Sequence, residues 1–226
     1  MKRQSPNSGF TLIEMLVVMA VIAILTGLIL AVNAVVQNTA ARSKASTQIK
    51  AMSAACEAYK SDNGGYPQSS SNSGSTTTDS LDPSSTSAAI YNPINYTASC
   101  LFLWQQLSGH LNDTNPTVQP PAGPNLGTNY AGDIFTDAML QGTKTGNRVT
   151  GVTCIQDPFG NSYGYGTAGL AAQQKYKSDL ITNGSATLKA AGYNPTFDMW
   201  STAGATTQTG TAGAGNDVKN KWVKNW

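Results

Sequence analysis

The feature that most constrains this chain is a carboxylate at the start of a long apolar run. No charged residue occurs between Met15 and Val32, and Phe10 to Ile13 extend the run on the other side of Glu14. At about 1.5 Å per residue, a helix of this length comes close to spanning a hydrocarbon core of about 30 Å. A carboxylate inside such a helix is costly unless it is paired or lies near the interface. We therefore expect a membrane-inserted helix in which Glu14 either is paired or lies near the interface.

Basic residues lie in front of the apolar run. By the positive-inside bias, Lys2 and Arg3 place the N-terminus in the cytoplasm and the bulk of the chain outside. The chain has 14 Lys and Arg against 12 Asp and Glu, so without those two residues the charges balance. Nucleic-acid binding needs a basic stripe that neutralises phosphates, and none is visible. Because only 12% of the residues are charged and 22 are Gly, we expect a loop-rich exported domain with no nucleic-acid partner.

Two ordinary export signals would explain part of this N-terminus. A secretory signal peptide is cut after its apolar region, and the residues A-V-N-A at 31–34 form an acceptable cleavage site. A plain signal anchor explains the length and orientation of the run, but it has no use for Glu14. A third explanation comes from the residues around Glu14 itself.

The sequence G-F-T-L-I-E at residues 9–14, preceded by a short basic leader, resembles the processing and assembly signal of type IV pilin-like proteins. This family includes the pseudopilins of type II secretion. The resemblance implies that a prepilin peptidase removes residues 1–9, cutting between Gly9 and Phe10, and that Phe10 is then N-methylated. It also implies that Glu14 pairs with the new α-amino group of Phe10 on a neighbouring copy. Such a pair fixes the register between neighbouring copies, because breaking it leaves a buried charge without a partner.

The helix is predicted to continue beyond the apolar run. From Ala41 to Tyr59 the apolar positions are spaced by three and four residues, which is typical of a helical stripe. We therefore predict an α+β, pilin-like fold in which a long N-terminal helix packs on a small antiparallel sheet. Its predicted segments are a leader at 1–9, a transmembrane or filament-core helix at 10–33, an amphipathic helix at 34–62 and a loop-rich periplasmic head at 63–226.

The head contains patterns typical of strands, helices and turns. Strand-like residues at 148–155, a turn at 157–161 and a return at 162–166 predict a hairpin. We also predict short helices at 98–107 and 171–177, a strand at 197–201 and an exposed loop rich in Ser and Thr at 68–89. The D-P-F-G-N turn, the F-D-M-W-S strand and the final K-N-W residues resemble those of the major, G-type pseudopilins.

The resemblance to G-type pseudopilins also implies a calcium ion in the loop after the third strand. Calcium takes six to eight oxygen ligands, some of them carboxylates. The loop at 201–217 contains one acidic residue, Asp217, which is the sole calcium candidate there. We therefore expect no metal or other cofactor.

Cysteines and candidate catalytic residues add little to these predictions. Cys56, Cys100 and Cys154 leave two alternatives, a bridge between Cys100 and Cys154 in an oxidising compartment or buried thiols that pack as small apolar groups. No P-loop, dinucleotide fingerprint or Ser/His/Asp order is present, so we expect no enzymatic activity and no catalytic residue. Trp200, Trp222 and Trp226 are expected to pack in the core and not to bind sugars.

The sequence thus predicts a structural subunit of a type II secretion pseudopilus. Its expected partners are copies of itself, the prepilin peptidase, the inner-membrane assembly platform, the minor pseudopilins and the bacterial inner membrane. We expect a single-pass protein with a periplasmic head that later joins a periplasmic filament. The alternatives are a type IV pilus or competence pilin, or a plain membrane-anchored exported binding protein.

Overall fold

The computed structural model describes residues 10–70, 77–109, 127–146, 148–205 and 218–226. Contacts within the chain divide it into two compact units, Met1–Ala41 and Arg42–Trp226. Helix α1, Leu12–Asn63, confirms the predicted long N-terminal helix. It ends where Gly64 takes a positive φ and its N–H donates to the Lys60 carbonyl, a common geometry for a helix C-terminus.

The second unit combines helices with two antiparallel sheets, which confirms the predicted α+β class. The elements that follow α1 are the 3₁₀ helices Ala88–Tyr91 and Pro93–Tyr96, helix α2 (Thr97–Ser108), strands β1 (Leu140–Thr145), β2 (Arg148–Ile155) and β3 (Gly164–Gly166), helix α3 (Ala168–Asn183), and strands β4 (Asp198–Ser201) and β5 (Val223–Lys224). Strand β1 pairs with β2 in one sheet, and the order of the other sheet is β3-β4-β5.

The core of this unit forms on the apolar face of α1 that the spacing of its apolar residues predicts. Ile49, Met52 and Cys56 are at most 3% exposed and pack with residues of α2, β2 and β3. Two tyrosines of the β3 region donate hydrogen bonds that tie it to α1 and the chain just after it. The Tyr163 hydroxyl donates to Gln48 Oε1 at 2.7 Å, and the Tyr165 hydroxyl donates to the Pro67 carbonyl at 2.8 Å.

The predicted hairpin between 148–155 and 162–166 forms only as a short connection. The Tyr163 N–H donates to the Ile155 carbonyl at 3.0 Å and a bridge joins Gln156 to Ser162, whereas the ladder partner of β2 is β1 and that of β3 is β4. The sequence of β1, L-Q-G-T-K-T, carries neither alternation nor a run of β-branched residues, so nothing local identifies it as a strand. The helix expected at 171–177 exists but is longer, at Ala168–Asn183.

The loop predicted as exposed at 68–89 is only partly so, because Thr78 and Leu81 are buried. The Thr78 hydroxyl accepts from the Ser69 N–H at 2.7 Å and from the Thr167 hydroxyl at 2.8 Å. Leu81 packs in a second hydrophobic cluster, here called the second aromatic cluster, whose aromatic members are Tyr91, Tyr96, Trp200 and Trp222. Composition alone misses such a loop, because its polar side chains are satisfied by hydrogen bonds within the protein.

All three cysteines are buried free thiols, the second of the two alternatives. The Cys100 sulfur accepts from the Ile155 N–H at 3.0 Å, and the Ser162 hydroxyl donates to the Cys154 sulfur at 3.1 Å. Burial raises the pKa of Cys56 and of Cys100, which keeps both thiols protonated and unreactive.

Trp200 organises the second aromatic cluster, as expected of a packing residue. Its ring is fully buried, stacks on Trp222 with centroids 6.0 Å apart, and meets Tyr96 edge-on at 5.3 Å. The backbone of Gly164 lies directly opposite Trp200 in the β3–β4 ladder. A Cβ on Gly164 would come within 2.1 Å of Trp200 Cε2, so only glycine fits there.

We expect Gly164→Ala to destabilise the head by about 1–3 kcal/mol, because the added methyl group must displace a rigid indole ring. Denaturant titration of the full-length chain in detergent, followed by tryptophan fluorescence, measures this change. Gly65→Ala is the matched control, since a Cβ there meets nothing within 4 Å, and it should stay within about 1 kcal/mol of the wild type. Equal stability of the two variants would contradict the close packing described here.

Two buried carboxylates hold turns of the second unit. Asp157 Oδ1 accepts from the N–H groups of Phe159 and Asn161, and its Oδ2 accepts from the Ser201 hydroxyl at 2.5 Å. Asp198 accepts from the N–H groups of Tyr193 and Asn194 at 2.8 and 2.9 Å. Burial nevertheless dominates and raises the pKa of both carboxyls, that of Asp198 to about 6.

The raised pKa of Asp198 predicts a pH-dependent stability with a definite sign. Between about pH 4 and pH 6 the folded state binds more protons than the unfolded state, so the free energy of unfolding falls as the pH rises through this window. We expect Asp198 to contribute roughly 1–3 kcal/mol to this fall. Denaturant titrations at pH 4.5 and pH 7 measure it.

Asp198→Asn should flatten this pH profile, because the variant has no proton to release at that position. Asp133→Asn alters an exposed carboxyl and serves as the control, with a profile like that of the wild type. A slope that Asp198→Asn leaves unchanged would show that Asp198 is not the titrating group.

Candidate functional site

The candidate site is the N-terminus of α1, where Thr11 and Glu14 are joined by reciprocal hydrogen bonds. The backbone N–H of Thr11 donates to Glu14 Oε2 at 2.8 Å, and the Thr11 hydroxyl donates to the same oxygen at 2.9 Å. In return, the backbone N–H of Glu14 lies 3.3 Å from Thr11 Oγ1. Thr11 directly precedes the first helical residue, Leu12. This is a capping box, in which a Thr and a Glu three residues later satisfy each other's backbone donors.

The capping box gives Glu14 a structural role that the sequence analysis missed. The signal was present, because Thr-x-x-Glu immediately before an apolar run is typical of a helix start. The carboxylate also lies in the first helical turn, where the helix dipole favours a negative charge. All three contacts involve Oε2 or the Glu14 backbone, and within the described residues Oε1 accepts no hydrogen bond.

The apolar side chains on both sides of Glu14 are uncovered in the single chain. Every residue from Phe10 to Gly27 is exposed, including Leu12 at 84% and Met19 at 69%. Such a continuous apolar surface requires lipid or other protein chains around it, because it far exceeds what a soluble monomer exposes. Within the part of the chain that the structure describes, none of the helices combines the length and the apolarity that a membrane crossing requires.

The structure places only some of the predicted site residues. Phe10 is described and is 77% exposed, one residue before the capping box. Gly9, at the predicted cleavage point, and Asp217, the calcium candidate, lie outside the described residues. Among the residues that are described, no three His, Cys, Asp or Glu side chains are grouped as metal ligands would be.

Comparison with known proteins identifies the N-terminal segment. The family model of the prokaryotic N-terminal methylation motif matches residues 4–30, which include the capping box and most of the exposed apolar run. No curated protein and no solved structure gives a significant match to this chain. Residues 4–30 are therefore a type IV pilin-like prepilin signal.

Proposed function

We propose that this chain is a subunit of a type II secretion pseudopilus, and that it acts as a structural component of a filament and not as an enzyme. The observation that carries the proposal is the prepilin signal at residues 4–30, with an exposed apolar helix that begins at the capped carboxylate of Glu14. An apolar helix with one carboxylate at its start suits a subunit that moves from the membrane into a bundle of identical helices.

Processing is the first step of the proposed pathway. A prepilin peptidase cuts between Gly9 and Phe10 on the cytoplasmic side of the inner membrane, and Phe10 is N-methylated. Because the cut precedes the apolar run, residues 10–33 remain on the mature subunit as its membrane anchor. The new α-amino group then lies at the residue before Thr11.

Assembly depends on Glu14 in this proposal. Its Oε2 is occupied by Thr11, while Oε1 is available to accept from the α-amino group of Phe10 on a neighbouring copy. Such a pair within an apolar bundle fixes register, because a shifted copy would leave both charges buried without partners. The inner-membrane platform and the minor pseudopilins would then extend and cap a periplasmic filament that supports export across the outer membrane.

The choice of a secretion pseudopilin over a type IV pilus or competence pilin rests on the head. The D-P-F-G-N turn and the F-D-M-W-S strand, which resemble those of G-type pseudopilins, form one hydrogen-bonded unit through Asp157 and Ser201. The prepilin signal is shared by all these filament classes, and so it supports the subunit role without distinguishing among them.

We expect the mature chain, isolated from membranes, to begin at N-methylated Phe10, because the resemblance of G-F-T-L-I-E to a prepilin processing signal implies a cut at the Gly9–Phe10 bond. N-terminal sequencing and intact mass measure this start. Gly9→Val should leave most of the chain uncut, since a side chain there hinders entry into a tight proteolytic site, whereas Ser8→Ala should be cut normally. A wild-type start near Val35 or at Met1 would refute the proposal.

Variants of Glu14 and Thr11 separate the assembly role from the capping role. Glu14→Gln keeps an oxygen acceptor for Thr11 but removes the charge, and we expect it to be inserted and processed yet to form filaments at less than about a tenth of the wild-type level. Thr11→Ala removes the capping hydroxyl but keeps the charge, and should weaken the helix start by about 1 kcal/mol while filaments still form.

Filament yield is measured by shearing and electron microscopy, and processing by intact mass. If Glu14→Gln assembled like the wild type while Thr11→Ala did not, Glu14 would act as a helix cap alone. That result would remove the proposed pairing with Phe10.

A further inference from the structure

Two Asn-Gly pairs occur in this sequence, Asn63-Gly64 and Asn183-Gly184. Each lies at the end of a helix, since Asn63 is the last residue of α1 and Asn183 is the last residue of α3. In an Asn-Gly pair the glycine nitrogen attacks the asparagine side chain readily, because glycine has no Cβ that would hinder the approach. The two pairs therefore place the same chemistry in two structural settings.

The attacking nitrogens are equivalent in the two pairs. Gly64 and Gly184 both take a positive φ, and a Cβ at either residue would meet nothing within 4 Å. The Gly64 N–H donates to the Lys60 carbonyl at 2.8 Å, and the Gly184 N–H donates to the Leu180 carbonyl at 3.0 Å. In both pairs the nitrogen is released only when the last helical turn opens. A difference in reactivity must therefore come from the asparagine side chains or from the stability of the two turns.

The two asparagine side chains are held differently. Both residues are exposed, but Asn63 Nδ2 donates to the Tyr59 carbonyl and to the Tyr130 hydroxyl, each at 2.9 Å. Both bonds must break before the Asn63 amide is free to react. The side chain of Asn183 has no hydrogen-bond partner within the part of the chain that the structure describes. The Asn183 amide is therefore free to reach the reactive geometry.

The last turn of α3 is also held more loosely than that of α1. Ile181 is 85% exposed, and residues 185–190 form neither helix nor strand. In the last turns of α1, by contrast, the Tyr59 ring packs edge-on against Tyr130 with centroids 5.2 Å apart. A turn with few buried contacts opens more often. Both differences favour reaction at Asn183 over reaction at Asn63.

We propose that Asn183 is a site of spontaneous deamidation in the folded protein, and that the fold protects Asn63. The Gly184 nitrogen loses its proton and attacks Asn183 Cγ. A new N–Cγ bond closes a succinimide ring, the Cγ–Nδ2 bond breaks, and ammonia leaves. Water then opens the ring at either carbonyl and gives aspartate or isoaspartate at position 183. Water is the co-reactant, and no group is oxidised or reduced.

The product changes the charge at the end of α3. A carboxylate replaces a neutral amide beside the last carbonyls of the helix, where the helix dipole makes a negative charge unfavourable. Isoaspartate also adds a methylene group to the main chain. The last turn of α3 therefore opens further as the protein ages. The inference rests on the sequence and the fold of α3, and it does not depend on assembly into a filament.

The test follows the full-length chain in detergent micelles at pH 8, with peptide mapping by mass spectrometry at successive times. We expect position 183 to deamidate at least about tenfold faster than position 63, because two hydrogen bonds hold the Asn63 amide. In denaturant the two positions should react at similar rates, because the dipeptide is the same and the fold is absent.

Two variants test the physical cause of the difference. Tyr130→Phe keeps the ring that packs on Tyr59 but removes one acceptor of the Asn63 amide. Position 63 should then deamidate severalfold faster, while position 183 is unchanged. Asn183→Gln should yield no deamidation at that position on the same timescale, because the longer side chain closes a larger ring far more slowly. Thermal melts confirm that both variants are folded during the incubation.

Three results would overturn the proposal. One is an equal or faster reaction at position 63 in the folded chain. Another is the absence of product at position 183 in the folded chain under conditions in which the denatured chain reacts. The third is a preference for position 183 that persists unchanged in denaturant, because the selectivity would then come from the neighbouring residues and not from the fold.

Discussion

Burial of the α1 stripe is the interaction on which the head depends. Ile49, Met52 and Cys56 supply the apolar surface on which α2 and the sheets assemble, and the hydrophobic effect provides most of the driving force. Apolar contact alone does not fix how β3 lies against the helix. The hydrogen bonds donated by the Tyr163 and Tyr165 hydroxyls fix the orientation of β3, because a buried hydroxyl without its acceptor would be strongly unfavourable. The two tyrosines therefore hold β3 in one position on the apolar surface.

The sequence predicts well what depends on local pattern and poorly what depends on distant partners. The period of α1, the bounds of β2 and the helix α2 follow from spacing and residue type, and all are confirmed. Strand β1 is missed because it exists only through its pairing with β2. The sequence also does not predict that Asp157 accepts a hydrogen bond from Ser201, because the two residues lie 44 positions apart in the chain. A polar loop residue can be buried only where a residue that is distant in the sequence forms a hydrogen bond with it.

Within a few residues, the N-terminal signal combines a feature that local sequence predicts with one that depends on a distant partner. The capping box between Thr11 and Glu14 is local, and the T-x-x-E spacing is sufficient to predict it. The proposed pairing of Glu14 with Phe10 requires a second copy, so a single chain cannot display it. The two roles are compatible, because the cap occupies one carboxylate oxygen and leaves the other available. A cap that orients the carboxylate also lowers the entropy lost when a partner binds.

Buried carboxylates show how the fold keeps charged groups in its interior. Asp157 and Asp198 each accept from two backbone N–H groups, so both of these buried acceptors are satisfied within the second unit. Buried polar groups are rarely left unpaired in native proteins. Each carboxylate therefore holds the turn whose N–H groups it accepts from, and a turn that lost its carboxylate would leave those donors without a partner.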